Sequence, residues 1–149
     1  QREVPLSRDL EALELYIQLE SLRFDNQLAY TITVDSGIDP ENTFVPSLML
    51  QPFVENSIWH GLGPKQGRGS ISINVGRSDG MLHCIVEDDG VGRGPDPLPQ
   101  ERRSFGITIT QSRIDMLNKL RNSNAALKVS DLPSGTRVDI LLPAEADSF

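Results

Sequence analysis

The chain is poor in the groups that build covalent or metal staples: its 149 residues hold one cysteine, Cys84, and two histidines, His60 and His83. A lone thiol excludes a disulfide framework and a thiolate metal cluster, and two histidines this far apart make no zinc site. No such staple is needed, since a domain of this size buries about 70% of its unfolded surface. Also missing are a signal peptide and any apolar run of about 18 residues, the length that crosses a bilayer. Basic charge is short as well, with 14 Lys and Arg against 21 Asp and Glu and a net charge of −7. A sequence-independent nucleic-acid binder needs a basic face to displace counterions, so nucleic acid is not an expected partner. The single thiol is compatible with a reducing cytoplasm. The opening "QREVPLSRDLEALELY" reads as the approach to a helix, as in a piece of a longer protein.

What is present is patterned. Residues 6–24 read as a helix with Ser7 as its N-cap. Its apolar residues form two stripes: Leu6, Leu10, Leu13, Ile17 and Phe24 on one face, and Ala12, Leu15, Leu19 and Leu22 nearly opposite. Such a helix is either fully buried or held between its own domain and a partner. "LAYTITV" alternates, with Leu28, Tyr30, Ile32 and Val34 on one side of a half-buried strand. After the turn-rich "DSGIDPENT", a second helix is expected to enter at Pro46 and to be loosened by Pro52. "SISINV" and "LHCIVED" alternate as a hairpin joined by "GRSDG". In the second of these strands Asp88 shares the parity of Leu82, Cys84 and Val86, which points a carboxylate toward the core. Residues 93–105, with three prolines, read as a surface loop, residues 107–120 as a helix, and "ALKVSD" and "TRVDILLP" as closing strands, with a frayed tail after Pro143. This order predicts an α+β fold: a two-layer sandwich, its sheet mixed but mainly antiparallel, with helices on one face.

Four short motifs fall along this frame: "ENSIWHG" on a helix, "DDGVG" at a strand end, "SFG" opening a helix and "SGT" opening the last strand. Each alone has an ordinary reading, as a solvated helix face, a turn or a strand start. Together they suit a flat, charged ligand. Asp88 lies under Gly90 and Gly92, where the backbone can approach a ring closely. Its ionised carboxylate only accepts hydrogen bonds, so it selects an exocyclic amino group and repels a carbonyl. Asn56 offers an amide oxygen suited to Mg²⁺, which takes few protein ligands and completes its shell with phosphate and water. Glu55 beside it can orient or deprotonate a metal-bound water. Gly106 at a helix start would leave N–H groups for a phosphate, with Ser104 as cap or donor. Lys65, Arg102 and Arg103 are candidates to neutralise its charge.

These motifs resemble the catalytic, ATP-binding domain of sensor histidine kinases, in the ATPase superfamily shared with gyrase and MutL (the Bergerat fold). "LMLQPFVENSIWHGL" resembles the N box of the autolysin-regulating subfamily, and "VEDDGVG" the G1 box. "RRSFGITITQSRIDMLN" is similar to the lid end and G2 region, and "SGTRVDILLP" to the closing strand. The resemblance covers nearly the whole chain. It implies that Asn56 ligates Mg²⁺ and Glu55 polarises a metal-bound water. It also implies that Asp88 reads the adenine amino group, with Thr136 bridging through a water. Gly90 and Gly92 would frame the base and lid, and Ser104 and Gly106 would lie near the phosphates. His60 would be a pocket residue of the N box, and not the phosphorylated histidine, which in this family lies on a separate helical domain. His83 falls on the outer face of its strand. The chain departs from the family pattern at Asp89, where Asn is usual, and at Thr108, where a second Gly is common. The first adds negative charge near the site, and the second predicts a less open loop and weaker ATP binding.

The resemblance further implies a division into residues 1–26 joining the domain to a phosphoacceptor helical region, residues 27–145 as the catalytic domain, and residues 146–149 as a tail. The expected partners are ATP with Mg²⁺, a phosphoacceptor-histidine domain of the same or a sister subunit in a homodimer, and a downstream response regulator. The expected setting is the cytoplasmic side of a parent anchored in a bacterial inner membrane. Two other readings stay open: a regulatory module that binds ATP without transfer, and a serine kinase or clamp-type ATPase on the same fold.

Overall fold

The computed structural model describes residues 3–24, 28–58, 69–90, 100–143 and 145–146. Strand β1 (Glu3–Pro5) runs directly into helix α1 (Leu6–Ser21), which ends in a short 3₁₀ turn, Leu22–Phe24. Strands β2 (Leu28–Val34) and β3 (Thr43–Pro46) follow, then the short helix α2 (Gln51–Asn56). Next come β4 (Gly69–Ser78), β5 (Met81–Asp88), helix α3 (Gln100–Arg121), β6 (Ala126–Asp131), β7 (Thr136–Leu142) and β8 (Glu145–Ala146). The main sheet has five strands in the order β2-β4-β5-β7-β6, and β1-β3-β8 form a small second sheet. Only the β2–β4 pair of the main sheet is parallel. The mixed, mainly antiparallel sandwich expected from the element order is what forms.

Alternation in the strands decides which face is covered. Ile71, Ile73 and Val75 of β4, Leu82, Cys84 and Val86 of β5, and Val138, Ile140 and Leu142 of β7 are buried on one side of the sheet. Against them pack Leu6, Leu10, Leu13 and Ile17 of α1, Phe53 and Val54 of α2 with the following Ile58, and Ile114 and Leu117 of α3. The opposite side carries the polar set. There Arg137 Nε donates to Asp139 at 2.8 Å, Glu87 lies 3.4 Å from Arg137, and the half-exposed His83 is 3.7 Å from Asp139. The hairpin needs only two turn residues, Asp79 and Gly80, both at positive φ (51° and 79°), as a type I′ turn demands.

Helix α1 belongs to this core and is further tied to β2 through Tyr30, whose hydroxyl donates to Glu14 and accepts from Gln18, each at 2.9 Å. Its two stripes part company: Leu15, Leu19 and Leu22 are 60%, 63% and 66% exposed, so a fully buried helix is ruled out. Ser7 is not the cap. Pro5 occupies that position, because β1 leads straight into the helix, and the Ser7 N–H instead bonds the Pro40 carbonyl at 2.8 Å.

Three further expectations are corrected. Pro46 closes β3 and does not open α2, which begins at Gln51 with Pro52 in its first turn. There a proline has no intrahelical N–H bond to lose, so it favours the start and loosens nothing. Helix α3 begins at Gln100 and not near residue 107. Its first residues are polar and show no apolar period, yet Gln, Glu and Arg are good helix formers. The stretch after Pro143 is not wholly frayed, since Glu145 and Ala146 pair with Phe44 and Thr43.

Candidate functional site

The register of the sheet explains how a carboxylate comes to be buried. Asp88 is the last residue of β5 and lies opposite Ile71 of β4 and Thr136 of β7, continuing the row of core-facing side chains. It is 5% exposed. Burial raises its pKa above the ordinary carboxylate value. Hydrogen bonds from the Ser57 hydroxyl, the Gly90 N–H and the Thr136 N–H work in the opposite direction, and nearby Asp89 adds a small further rise. The Gly90 bond is 2.9 Å long. A carboxylate held by donors on three segments is fixed in direction, with its remaining acceptor capacity available to a ligand.

Ser57 brings the second half of the site to this carboxylate. Helix α2 buries Phe53, Val54 and, just past its end, Ser57 and Ile58, which leaves Glu55 exposed and Asn56 at half-burial on the outer edge. The chain widens into a π-type turn at residues 57 and 58, immediately after Asn56. Such turns recur at functional sites because they re-aim neighbouring side chains. Glu55 accepts a hydrogen bond from Gln51 Nε2 at 3.1 Å, one helical turn back. The donor chemistry fits a hard cation held by few protein ligands: an amide oxygen at Asn56 with a carboxylate beside it. Among the described residues no three His, Cys, Asp or Glu side chains converge on a metal position.

The "SGT" turn closes the site from the other side. Ser134 Oγ donates to the carbonyls of Asp89 and Gly90 at 3.3 and 3.4 Å. Gly135 has φ +105°, and a Cβ there would sit 1.8 Å from the Asp88 carbonyl oxygen. Only glycine lets the β6–β7 turn seat on the end of β5.

The structure therefore brings together Asp88, Gly90 and Thr136, with Ser57 against them and Glu55 and Asn56 just before it in the chain. Gly106 and Ser104 do not open a helix. They lie inside α3, and Gly106 is far enough in for its N–H to be engaged by the carbonyl four residues earlier. Arg102 and Arg103 fall in the first turn of α3. His60, Lys65 and Gly92 lie outside the described residues. Asp89 turns away from the ligand side: its Oδ1 accepts the Ser70 N–H at 2.8 Å and its own N–H bonds the Ser70 carbonyl, which extends the β4–β5 ladder. Sequence reasoning missed Ser57, Ser134 and Gly135 as site residues. Ser57 is next to Asn56, and helical period places it on the buried face with Phe53, Val54 and Ile58, the signal that could have found it.

With this geometry in place, the chain can be set beside known proteins. Residues 45–146 match the family described as histidine kinase-, DNA gyrase B-, and HSP90-like ATPase. The sensor protein LytS of Oceanobacillus iheyensis is 33% identical, the alignment covering 94% of this chain and 25% of that protein. The sensor histidine kinase YpdA of Escherichia coli is 28% identical over 95% of this chain and 25% of its own length. Among solved structures, the mycobacterial sensor histidine kinase MprB superposes with a TM-score of 0.64 at 19% identity, covering 97% of this chain and 98% of that one. The histidine kinase domain from the Erythrobacter litoralis EL346 blue-light activated histidine kinase gives 0.62 at 20% identity, over 88% of this chain and 58% of that one. The chain belongs to the histidine kinase-, gyrase B- and HSP90-like ATPase family, whose members bind ATP. It spans about a quarter of the length of these curated relatives.

Proposed function

We propose that this domain is the Mg-ATP-binding catalytic unit of a sensor histidine kinase of the LytS type, presenting the γ-phosphoryl group to a histidine outside the segment. The observation that carries the reading is the Ser57–Asp88 hydrogen bond, which sets the helix bearing Glu55 and Asn56 against the buried carboxylate at the end of β5. A cation-binding edge and an amino-group reader would then share one site, as an adenine nucleotide requires.

In this reading Asp88 accepts from the adenine amino group, and Thr136 supports it from β7. Gly90 and Gly92 allow the ring close to the backbone. Asn56 holds Mg²⁺, which neutralises charge on the phosphates, and Glu55 orients a water beside it. Arg102, Arg103, Lys65 and His60 are the remaining phosphate-side candidates. Phosphoryl transfer asks mainly for positioning and charge neutralisation, and these residues supply both. The exposed stripe of Leu15 and Leu19 on α1 with Leu22 of the following 3₁₀ turn is where the phosphoacceptor helices would lie. In the full-length protein we expect a homodimer, a downstream response regulator, and a position on the cytoplasmic side of a membrane. Among the described residues no helix is long and apolar enough to cross one. Asp89 accepts the Ser70 N–H, and its charge acts on Asp88 as the smallest of the influences there.

The test uses a fluorescent ATP analogue. Asn56→Ala should remove the Mg²⁺-dependent part of binding. Asp88→Ala should erase the preference for ATP over GTP. Unchanged Mg²⁺ dependence in the first variant, or retained purine preference in the second, would refute the corresponding assignment.

A further inference from the structure

Glu55 and Asn56 close helix α2, and the chain runs on from Asn56 into the π-type turn at residues 57 and 58. Phe53, Val54 and Ile58 seat this segment on the core, and its direction depends as well on what anchors its start. That start is the turn at residues 47–50. Leu50 provides the carbonyl for the first helical bonds, accepting from Phe53 and Val54 at 3.1 and 3.2 Å. Two residues earlier, Leu48 has φ +60°, a left-handed conformation uncommon for a non-glycine residue, and its side chain is largely exposed. Met49 and Leu50 beyond it are buried, but the Leu48 side chain does not itself hold its backbone there.

Two charged side chains do. The Leu48 N–H donates to Oδ1 of Asp9 at 3.2 Å. The Leu48 carbonyl accepts from Nη1 of Arg113 at 3.1 Å, and Nη2 of the same guanidinium donates to the Ser47 carbonyl at 2.6 Å. Asp9 is a buried residue of α1, and Arg113 belongs to α3. The two helices thus grip one peptide unit from both sides, the planar guanidinium spanning two successive carbonyls as an ammonium could not. Neither residue belongs to the nucleotide site described above.

We propose that Asp9 and Arg113 are positioning residues that clamp the Leu48 turn and thereby aim the Glu55–Asn56 edge of α2 at the phosphate-bound cation. The proposal rests on the reading of Asn56 as the residue that holds Mg²⁺. Asp88 at the end of β5 is held by the Gly90 and Thr136 N–H groups as well as by Ser57. The clamp touches neither of those two N–H groups, so adenine recognition should respond less than the cation edge.

The experiment compares Mg²⁺-dependent ATP binding with Mg²⁺-free adenosine binding in the full-length protein, and adds the rate of autophosphorylation. Asp9→Leu and Arg113→Met should weaken Mg-ATP binding by about 10-fold and leave adenosine affinity within about 2-fold. Asp9→Asn should restore most of the loss, because its amide oxygen still accepts from Leu48. Arg113→Lys should not restore it, because one ammonium cannot span two carbonyls; this contrast reads out even if Asp9→Leu does not fold. Equal losses for adenosine and Mg-ATP would mean a merely structural role and would overturn the clamp. So would unchanged Mg-ATP binding in both variants beside a clear loss in Asn56→Ala. If Asn56→Ala itself keeps full Mg²⁺ dependence, the metal assignment falls and the clamp's purpose falls with it.

Discussion

Replacing Gly135 by alanine tests how tightly the site is built into the fold. The Cβ would lie 1.8 Å from the Asp88 carbonyl oxygen, 2.7 Å from its carbon and 2.9 Å from the Asp89 Cα. All three are backbone atoms, so no side chain can swing aside. Relief requires the β6–β7 turn to lift from the end of β5 by more than an ångström or so, the gap between this approach and an ordinary contact. Lifting it weakens the two Ser134 hydrogen bonds, at about 1 kcal/mol each for good geometry and less at these lengths. The φ of +105° adds about 1–2 kcal/mol of backbone strain for any L-residue. The sum is about 3 kcal/mol, a fall in Tm of about 10 °C for a domain this size. Gly80→Ala is the control, since Gly80 has φ +79° with nothing within 4 Å of the added Cβ. It should lose only the strain term, about 1 kcal/mol. Urea unfolding of both variants gives the comparison, and nucleotide binding should fall for Gly135→Ala alone. Equal losses in the two variants would refute the argument that the turn is seated on Asp88.

Two further predictions concern the two faces of α1 and the buried carboxylate. Ile17→Ala should cost about 3 kcal/mol, since Ile17 is fully buried, while Leu19→Ala should stay within about 0.5 kcal/mol in this segment; a large loss at Leu19 would show that the stripe packs within the domain. Asp88 has a raised pKa in the folded state, so its contribution favours the fold most at pH below the unfolded carboxylate value and is lost as pH rises through the folded value. Across that window the stability of the native domain should fall relative to Asp88→Asn, as followed by urea titrations over a pH series. Asp9 is raised in the same sense, and subtracting the variant's curve removes its contribution. A difference that is flat with pH, or rises, would contradict the assignment.

The motifs and periods most readily seen in the sequence were those with local causes. Alternation placed β2, β4, β5, β6 and β7, and parity alone put Asp88 with Leu82, Cys84 and Val86 on the covered face. Strands β1, β3 and β8, of three, four and two residues, are too short to show a period, and form because β3 finds partners on both sides. The start of α3 was hidden because its first turns are polar, and this cost Gly106 its expected place at a helix terminus.

Thus the sequence by itself determined the fold class, the family motifs and the core-facing parity of Asp88, because side-chain type and the periods of 2 and 3.6 are local properties. Tertiary structure alone decided that Ser57 bonds Asp88, that Asp89 is spent on Ser70, and that Leu48 is gripped by residues 39 and 65 positions away. Those contacts depend on how the sheet register and the helix packing bring distant segments to one place, and no local pattern encodes the meeting of two chain segments in space.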